Sequence, residues 1–236
     1  MTVVTYKVNS SIAIISLNRP KHINAFNVQM RDELHQYLRL FQEDEEAKVA
    51  VIRGNGSRGF CAGADLSEFG TAPSQVIARY VRWARDIWGL FTSINKPIVA
   101  SLHGFVIGSG IEIASLCDVR IAANDARFRM PEVALGMIPA AGGTQMLPRL
   151  IGADKTMDLI LTNKEIDAYE ARSIGLVDMV VERKEIYSEA LSLAKNILNN
   201  GEELNSVIKS VVRLGYDMDI DSALLFESRR ARAFLG

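Results

Sequence analysis

Short apolar runs, several of them closed by glycine, alternate with amphipathic stretches up to about residue 143, and beyond it the amphipathic stretches dominate. A chain patterned this way must bury strands and then cover them with helices. Val4, Tyr6 and Val8, then Ile12, Ile14 and Leu17, flank Asn9-Ser10-Ser11 and predict two strands joined by a turn. Met30, Leu34, Tyr37, Leu38 and Phe41 recur at helical spacing, so residues 28–43 read as a helix with Asn27 as its N-cap. KVAVIR (48–53), IVASL (98–102) and VRIAA (119–123) read as strands, with 127–129 a shorter one. Residues 73–94 read as one long helix bearing Trp83 and Trp88, halted by Lys96-Pro97. Another short helix, IEIASLC (111–117), follows Gly104 and Gly108. Helices are predicted near 143–150, 153–162, 167–173, 184–199, 202–213 and 217–231, with GLVDMVV (175–181) a strand among them. The class is α/β with a helical C-terminal part.

Charge and composition narrow the function. There are 27 Lys and Arg against 28 Asp and Glu, which argues against nucleic acid or an anionic membrane as the main partner. No apolar run approaches the ~20 residues of a membrane span, and no signal-peptide pattern opens the chain. Two cysteines, Cys61 and Cys117, are too few for a disulfide framework or a zinc cluster. A soluble, cytoplasmic enzyme is expected, without a metal.

Two glycine loops invite chemistry. Gly54-Asn55-Gly56-Ser57-Arg58-Gly59 matches G-x-G-x-x-G after a strand, but FCAGADL follows where a dinucleotide fold needs a helix. Nicotinamide binding is therefore not expected. The second, 104–110, opens a helix, and its glycines let backbone N–H groups face an anion or a developing oxyanion. Taken alone, the loop reads more readily as a plain strand-to-helix turn.

Glu112 and Glu132 also have two local readings each. Ser109-x-x-Glu112 is a capping-box pattern, and Pro131-Glu132 suits the first positions of a helix. Against that, Glu112 sits between Ile111 and Ile113 in a helix apolar all round, where a carboxylate is costly without a purpose. His103 reads as a packing or turn residue, and both cysteines as small core residues.

NRPKHINAF (18–26), RGNGSRGFCAGADL (53–66), KPIVASLHGFVIGSGIEIASLCDVRIAA (96–123), FRMPEVALGMIPAAGGTQMLPRLIG (128–152) and AYEARSIGLVDMVV (168–181) follow one another in order. Together they resemble the crotonase family, the enoyl-CoA hydratase/isomerase superfamily. The resemblance implies a spiral of ββα units with a helical C-terminal region. Residues 1–182 would form the catalytic core, and 183–236 would close the CoA groove and make oligomer contacts. That region is expected to be short by one closing helix. A homotrimer or dimer of trimers is implied, as is an acyl-CoA thioester substrate with no separate cofactor.

By motif position the backbone N–H groups of Ala64 and Ser109 would form an oxyanion hole, with Glu112 activating water and Glu132 supplying a proton. Lys21, His22, Ala25, Ala62, Gly63, Asp65, Leu66, Gly108, Pro139 and Ala140 would contact substrate or CoA. Phe69, Trp83 and Trp88 would border the acyl pocket, and two tryptophans suggest a compact or cyclic acyl group. Ala140 stands where many relatives have glycine, which points to an altered fit for substrate. The implied activity is enoyl-CoA hydration. An isomerase or hydrolase of the same fold, or a CoA-binding protein without catalysis, is the alternative.

Overall fold

The computed structural model describes residues 2–235. β1 (Val4–Asn9) and β2 (Ile12–Leu17) form the expected hairpin, and α1 (Val28–Glu43) follows. Asn27 caps α1 by accepting from the Met30 amide at 2.9 Å, and Met30, Leu34, Leu38 and Phe41 form its buried stripe. Three strand pairs come next. They are β3 (Val49–Gly54) with β4 (Gly59–Cys61), β5 (Ile98–Leu102) with β6 (Phe105–Ile107), and β7 (Val119–Ala123) with β8 (Arg127–Arg129). Between the first two pairs lie α2 (Gln75–Ala84) and α3 (Ile87–Ser93), and α4 (Ser109–Ser115) follows the second. The C-terminal part comprises α5 (Gly143–Ile151), α6 (Ala153–Thr162), β9 (Glu165–Asp167), α7 (Ala168–Ser173), β10 (Met179–Val181), α8 (Ile186–Asn199), α9 (Glu202–Gly215) and α10 (Ile220–Leu235).

Each pair places its first strand in one sheet and its second in another, so the chain winds as a spiral. The larger sheet runs β1-β2-β3-β5-β7-β10, parallel except for the β1–β2 hairpin. The smaller runs β4-β6-β8-β9, with β4, β6 and β8 parallel. The inner strands β2, β3, β5 and β7 of the larger sheet are buried on both faces, which is why they read as nearly unbroken apolar runs, while β1 and β10 at its edges are partly exposed. Val49, Val51, Val99 and Ile121 face α8, meeting Ile186, Ala190 and Ala194. Ala50, Ile52, Ile98 and Ala100 face the opposite way, into the main core with α1 and α3.

Several expectations change. The single helix of 73–94 is two, because Asp86 turns out of helical geometry and its carboxylate caps the Gly89 amide at 3.1 Å. Periodicity runs through that break, but the short acid competes locally for backbone donors. The predicted strand of 175–181 pairs only over Met179–Val181. Strands β4, β6 and β9 have three residues each, too short to show a period. The G-x-G-x-x-G loop joins β3 to β4 and leads into a strand rather than the helix a dinucleotide fold needs.

Candidate active site

The carboxyl ends of three short strands set out the site. Cys61 on β4 lies beside Val106 on β6, and Ile107 on β6 beside Arg129 on β8. Parallel pairing makes the following segments, 62–64, 108–109 and 131–132, emerge side by side. Residues 23–26 flank them, with the Phe26 amide on Gly63 O at 2.8 Å and the Asp65 amide on Phe26 O at 2.9 Å. Those bonds are made by the neighbours of Ala64, so its own N–H is directed to the other side, toward the cavity. Ser109 opens α4, where amides precede the helical ladder and lack internal acceptors. Neither amide has a partner outside helix and strand ladders among the described residues. Gly108 makes that turn possible, with φ +48° and ψ −112°, a conformation other residues rarely adopt.

Both glutamates face the same cavity of about 320 Å3. Glu112 is 2% exposed, and its Oε1 accepts from the amides of Ala141 at 3.0 Å and Gly143 at 3.1 Å. The capping-box reading fails, because Gly108 occupies the N-cap and Glu112 bonds across to this loop instead. Glu132 begins a 3-10 turn, Glu132–Leu135, after β8. Its Oε2 is buried with no hydrogen-bond partner among the described residues, and Oε1 lies 2.5 Å from where a Cβ on Gly108 would stand. Burial raises the pKa of both carboxyls, and Glu112 is pushed up to about 7 although the amides of Gly143 and Ala141 oppose the rise. The charge of Glu132 adds to the rise on Glu112.

This predicts an unusual stability profile. Below the ordinary carboxyl value near 4.5 both folded and unfolded chains hold the Glu112 proton, and the group is neutral to stability. As pH rises the unfolded chain releases its proton first, so the folded state loses stability until pH passes about 7. The full loss is on the order of 3 kcal/mol. Glu112→Gln is therefore expected to raise Tm relative to the parent at about pH 8, the gain vanishing near pH 4. Thermal scans across that range check it, and a gain independent of pH contradicts it.

Of the residues singled out from the sequence, Ala62, Gly63, Ala64, Leu66, Phe69, Trp88, Gly108, Ser109, Glu112, Glu132, Pro139 and Ala140 line the cavity. Trp83 does not. It is 78% exposed and borders a separate shallow depression with Tyr80 and Arg79. The break at Asp86 removes it from the helix that carries Trp88, so the pair of tryptophans no longer supports a cyclic acyl group. Lys21, His22 and Ala25 lie outside the lining, on the flanking segment; Lys21 and His22 are exposed. Asp65 also lies outside it, bound to Arg19 at 3.0 Å and to the Ser67 hydroxyl at 2.7 Å. His103 is a turn residue, its Nε2 3.0 Å from Gly56 O and its pKa lowered to about 4 by burial.

A model of the enoyl-CoA hydratase/isomerase family matches residues 7–234. The chain belongs to that family. The short-chain-enoyl-CoA hydratase of Clostridium acetobutylicum is 37% identical over 217 residues, 92% of this chain and 83% of that one. The crotonyl-CoA hydratase of Syntrophomonas wolfei is 35% identical, over 92% of this chain and 84% of its own. Among solved structures, an enoyl-CoA hydratase from Bacillus anthracis superposes with a TM-score of 0.92 at 32% identity, covering 98% of this chain and 90% of that one.

In this member of the enoyl-CoA hydratase/isomerase family the amides holding Glu112 escaped sequence reasoning, which had singled out Ala140. Gly143 did leave a signal, since it opens α5 and a helix N-terminus offers free N–H groups to a carboxylate. It also needs to be glycine, because a Cβ there would stand 2.7 Å from Pro139 Cβ and 3.0 Å from Glu112 Oε1. Arg82, the remaining ionisable group in the lining, left none.

Proposed function

We propose that this member of the family is an enoyl-CoA hydratase, a lyase adding water across the α,β double bond of an unsaturated acyl-CoA. The observation that carries the reading is one buried carboxyl and one half-buried carboxyl facing a cavity lined also by Ala64 and Ser109, whose backbone amides find no partner outside helix and strand ladders among the described residues. The thioester oxygen would accept from the amides of Ala64 and Ser109, which stabilise the enolate as charge develops; one such donor is worth ~3–4 kcal/mol in a comparable site. Glu112, its Oε1 braced by two amides, suits the ionised base and takes a proton from water as the water oxygen bonds to Cβ. Glu132, with a buried unpartnered oxygen, suits the acid and delivers its proton to Cα. The proton gained by Glu112 then returns to Glu132 through solvent, and the pair starts again.

The wall of Leu66, Phe69, Trp88, Leu135, Met137 and Ile138 supports an apolar acyl group. The CoA portion would pass Lys21, His22 and Ala25 on the flanking segment, with Asp65 bracing the loop beneath through Arg19. No cofactor beyond the CoA of the substrate is part of this reading. A homotrimer or dimer of trimers belongs to it as well, supported by α10, which packs on α9 and leaves Ile220, Leu224 and Leu225 exposed. Cytoplasmic location is supported by two buried free thiols, Cys61 and Cys117, and by the lack of any helix long and apolar enough to cross a membrane among the described residues.

Incubation with a short enoyl-CoA is expected to bleach the conjugated-enoyl absorbance and give a product heavier by one water. A product of unchanged mass would make it an isomerase, and a released free acid a hydrolase. Binding without turnover across linear, aromatic and alicyclic thioesters would overturn catalysis altogether.

A further inference from the structure

We propose that Arg82 is a positioning residue for Glu112, gripping the 140–141 peptide group from α2 so that its N–H stays aimed at the carboxylate. The proposal deepens the hydratase reading and rests on it for the catalytic consequence. Helix α2 buries none of its residues. Among the described residues, one side-chain hydrogen bond joins it to a distant part of the chain, from Arg82 Nη2 to the Ala140 carbonyl. That carbonyl and the Ala141 N–H belong to the same peptide unit. The unit is planar and trans, so fixing the direction of its C=O fixes the opposite direction of its N–H. The N–H so fixed is the one that donates to Glu112 Oε1 at 3.0 Å.

Two effects follow from one contact. A guanidinium on the carbonyl polarises the peptide and makes its N–H a stronger donor, as in any chained pair of hydrogen bonds. The cation also favours the ionised form of Glu112, the form that activates water. The charged or titratable groups facing Glu112 are few. Glu132 lies across the cavity after β8, the Cys61 thiol lies in β4, and Arg82 reaches in from α2. Among the described residues, Arg82 is the one cation in the lining of the cavity. It therefore opposes both the burial of Glu112 and the charge of Glu132. Because α2 itself is exposed, the base is coupled to a helix at the mouth of the site rather than to the core.

The test compares the full chain with R82M and R82K. Steady-state kinetics with a short enoyl-CoA give kcat and KM across pH. NMR of the protein labelled with 13C-glutamate, with Glu112→Gln identifying the resonance, reads the Glu112 titration directly. In R82M kcat near neutral pH is expected to fall about tenfold or more, the order seen when a catalytic group shifts by a fraction of an ångström. KM should change little, and the Glu112 midpoint should move to higher pH. R82K, which keeps a charged donor, should return the midpoint toward the parent value. An unchanged Glu112 midpoint in R82M, or a loss confined to KM, overturns the proposal. If the parent chain fails to hydrate any thioester, the hydratase reading falls, while the titration still decides whether Arg82 controls Glu112.

Discussion

Glu132→Gln is expected to lower kcat for hydration about 1,000-fold, within the range lost when a general acid is removed. The substitution keeps the shape of the side chain and deletes only the transferable proton. KM should stay close to the parent, because in the proposed reading the amides of Ala64 and Ser109 grip the thioester and this carboxyl does not. Stability should hold or rise, since Glu132 Oε2 is buried without a partner and burial opposes its ionised form. Steady-state kinetics with thermal unfolding on the same preparation checks both halves. A loss smaller than tenfold would remove Glu132 from the proton transfer.

Gly108→Ala should also be costly, acting first on the backbone. The backbone there has φ +48° and ψ −112°, and the new Cβ would lie 2.5 Å from Glu132 Oε1. Either the turn relaxes and carries the Ser109 amide away, or Glu132 is displaced. A fall in kcat/KM of about 100-fold is expected, with about 1–3 kcal/mol of stability lost to strain. A double-mutant cycle with Glu132→Gln separates the two causes. If displacement of Glu132 dominates, the combined variant loses little beyond Glu132→Gln alone; if the amide dominates, the losses add. Wild-type rates in Gly108→Ala would show that the turn tolerates a side chain and that the oxyanion reading is wrong.

The parts of this site legible in the sequence were those written locally. A glycine before a helix start, an acid between two isoleucines and a Pro-Glu pair each left a signal, and the five segments in order fixed which fold joins them. What remained hidden depended on contacts far apart in the chain. Nothing near Arg82 indicates that it reaches Ala140, 58 residues away. The misplacement of Trp83 has a related cause: apolar spacing runs unbroken from Val76 past Ile87, while a single capping bond from Asp86 turns the chain. Strands β4, β6 and β9 escaped for a simpler reason, since three residues show too little of a period to announce a strand.

The spiral also divides the chemistry among its turns. Its first two strand pairs each contribute a main-chain N–H, from Ala64 and Ser109, and the third contributes the side chain of Glu132. Under the proposed hydratase reading, the grip on a thioester is written in backbone geometry and is indifferent to which side chains stand at those positions, provided they tolerate the turn. Under the same reading, proton traffic is written in two replaceable side chains on α4 and after β8. Exchanging those acids for other groups alters which bond is made or broken and leaves the grip intact, so one scaffold of this shape can be redirected to a new reaction without first relearning how to hold its substrate.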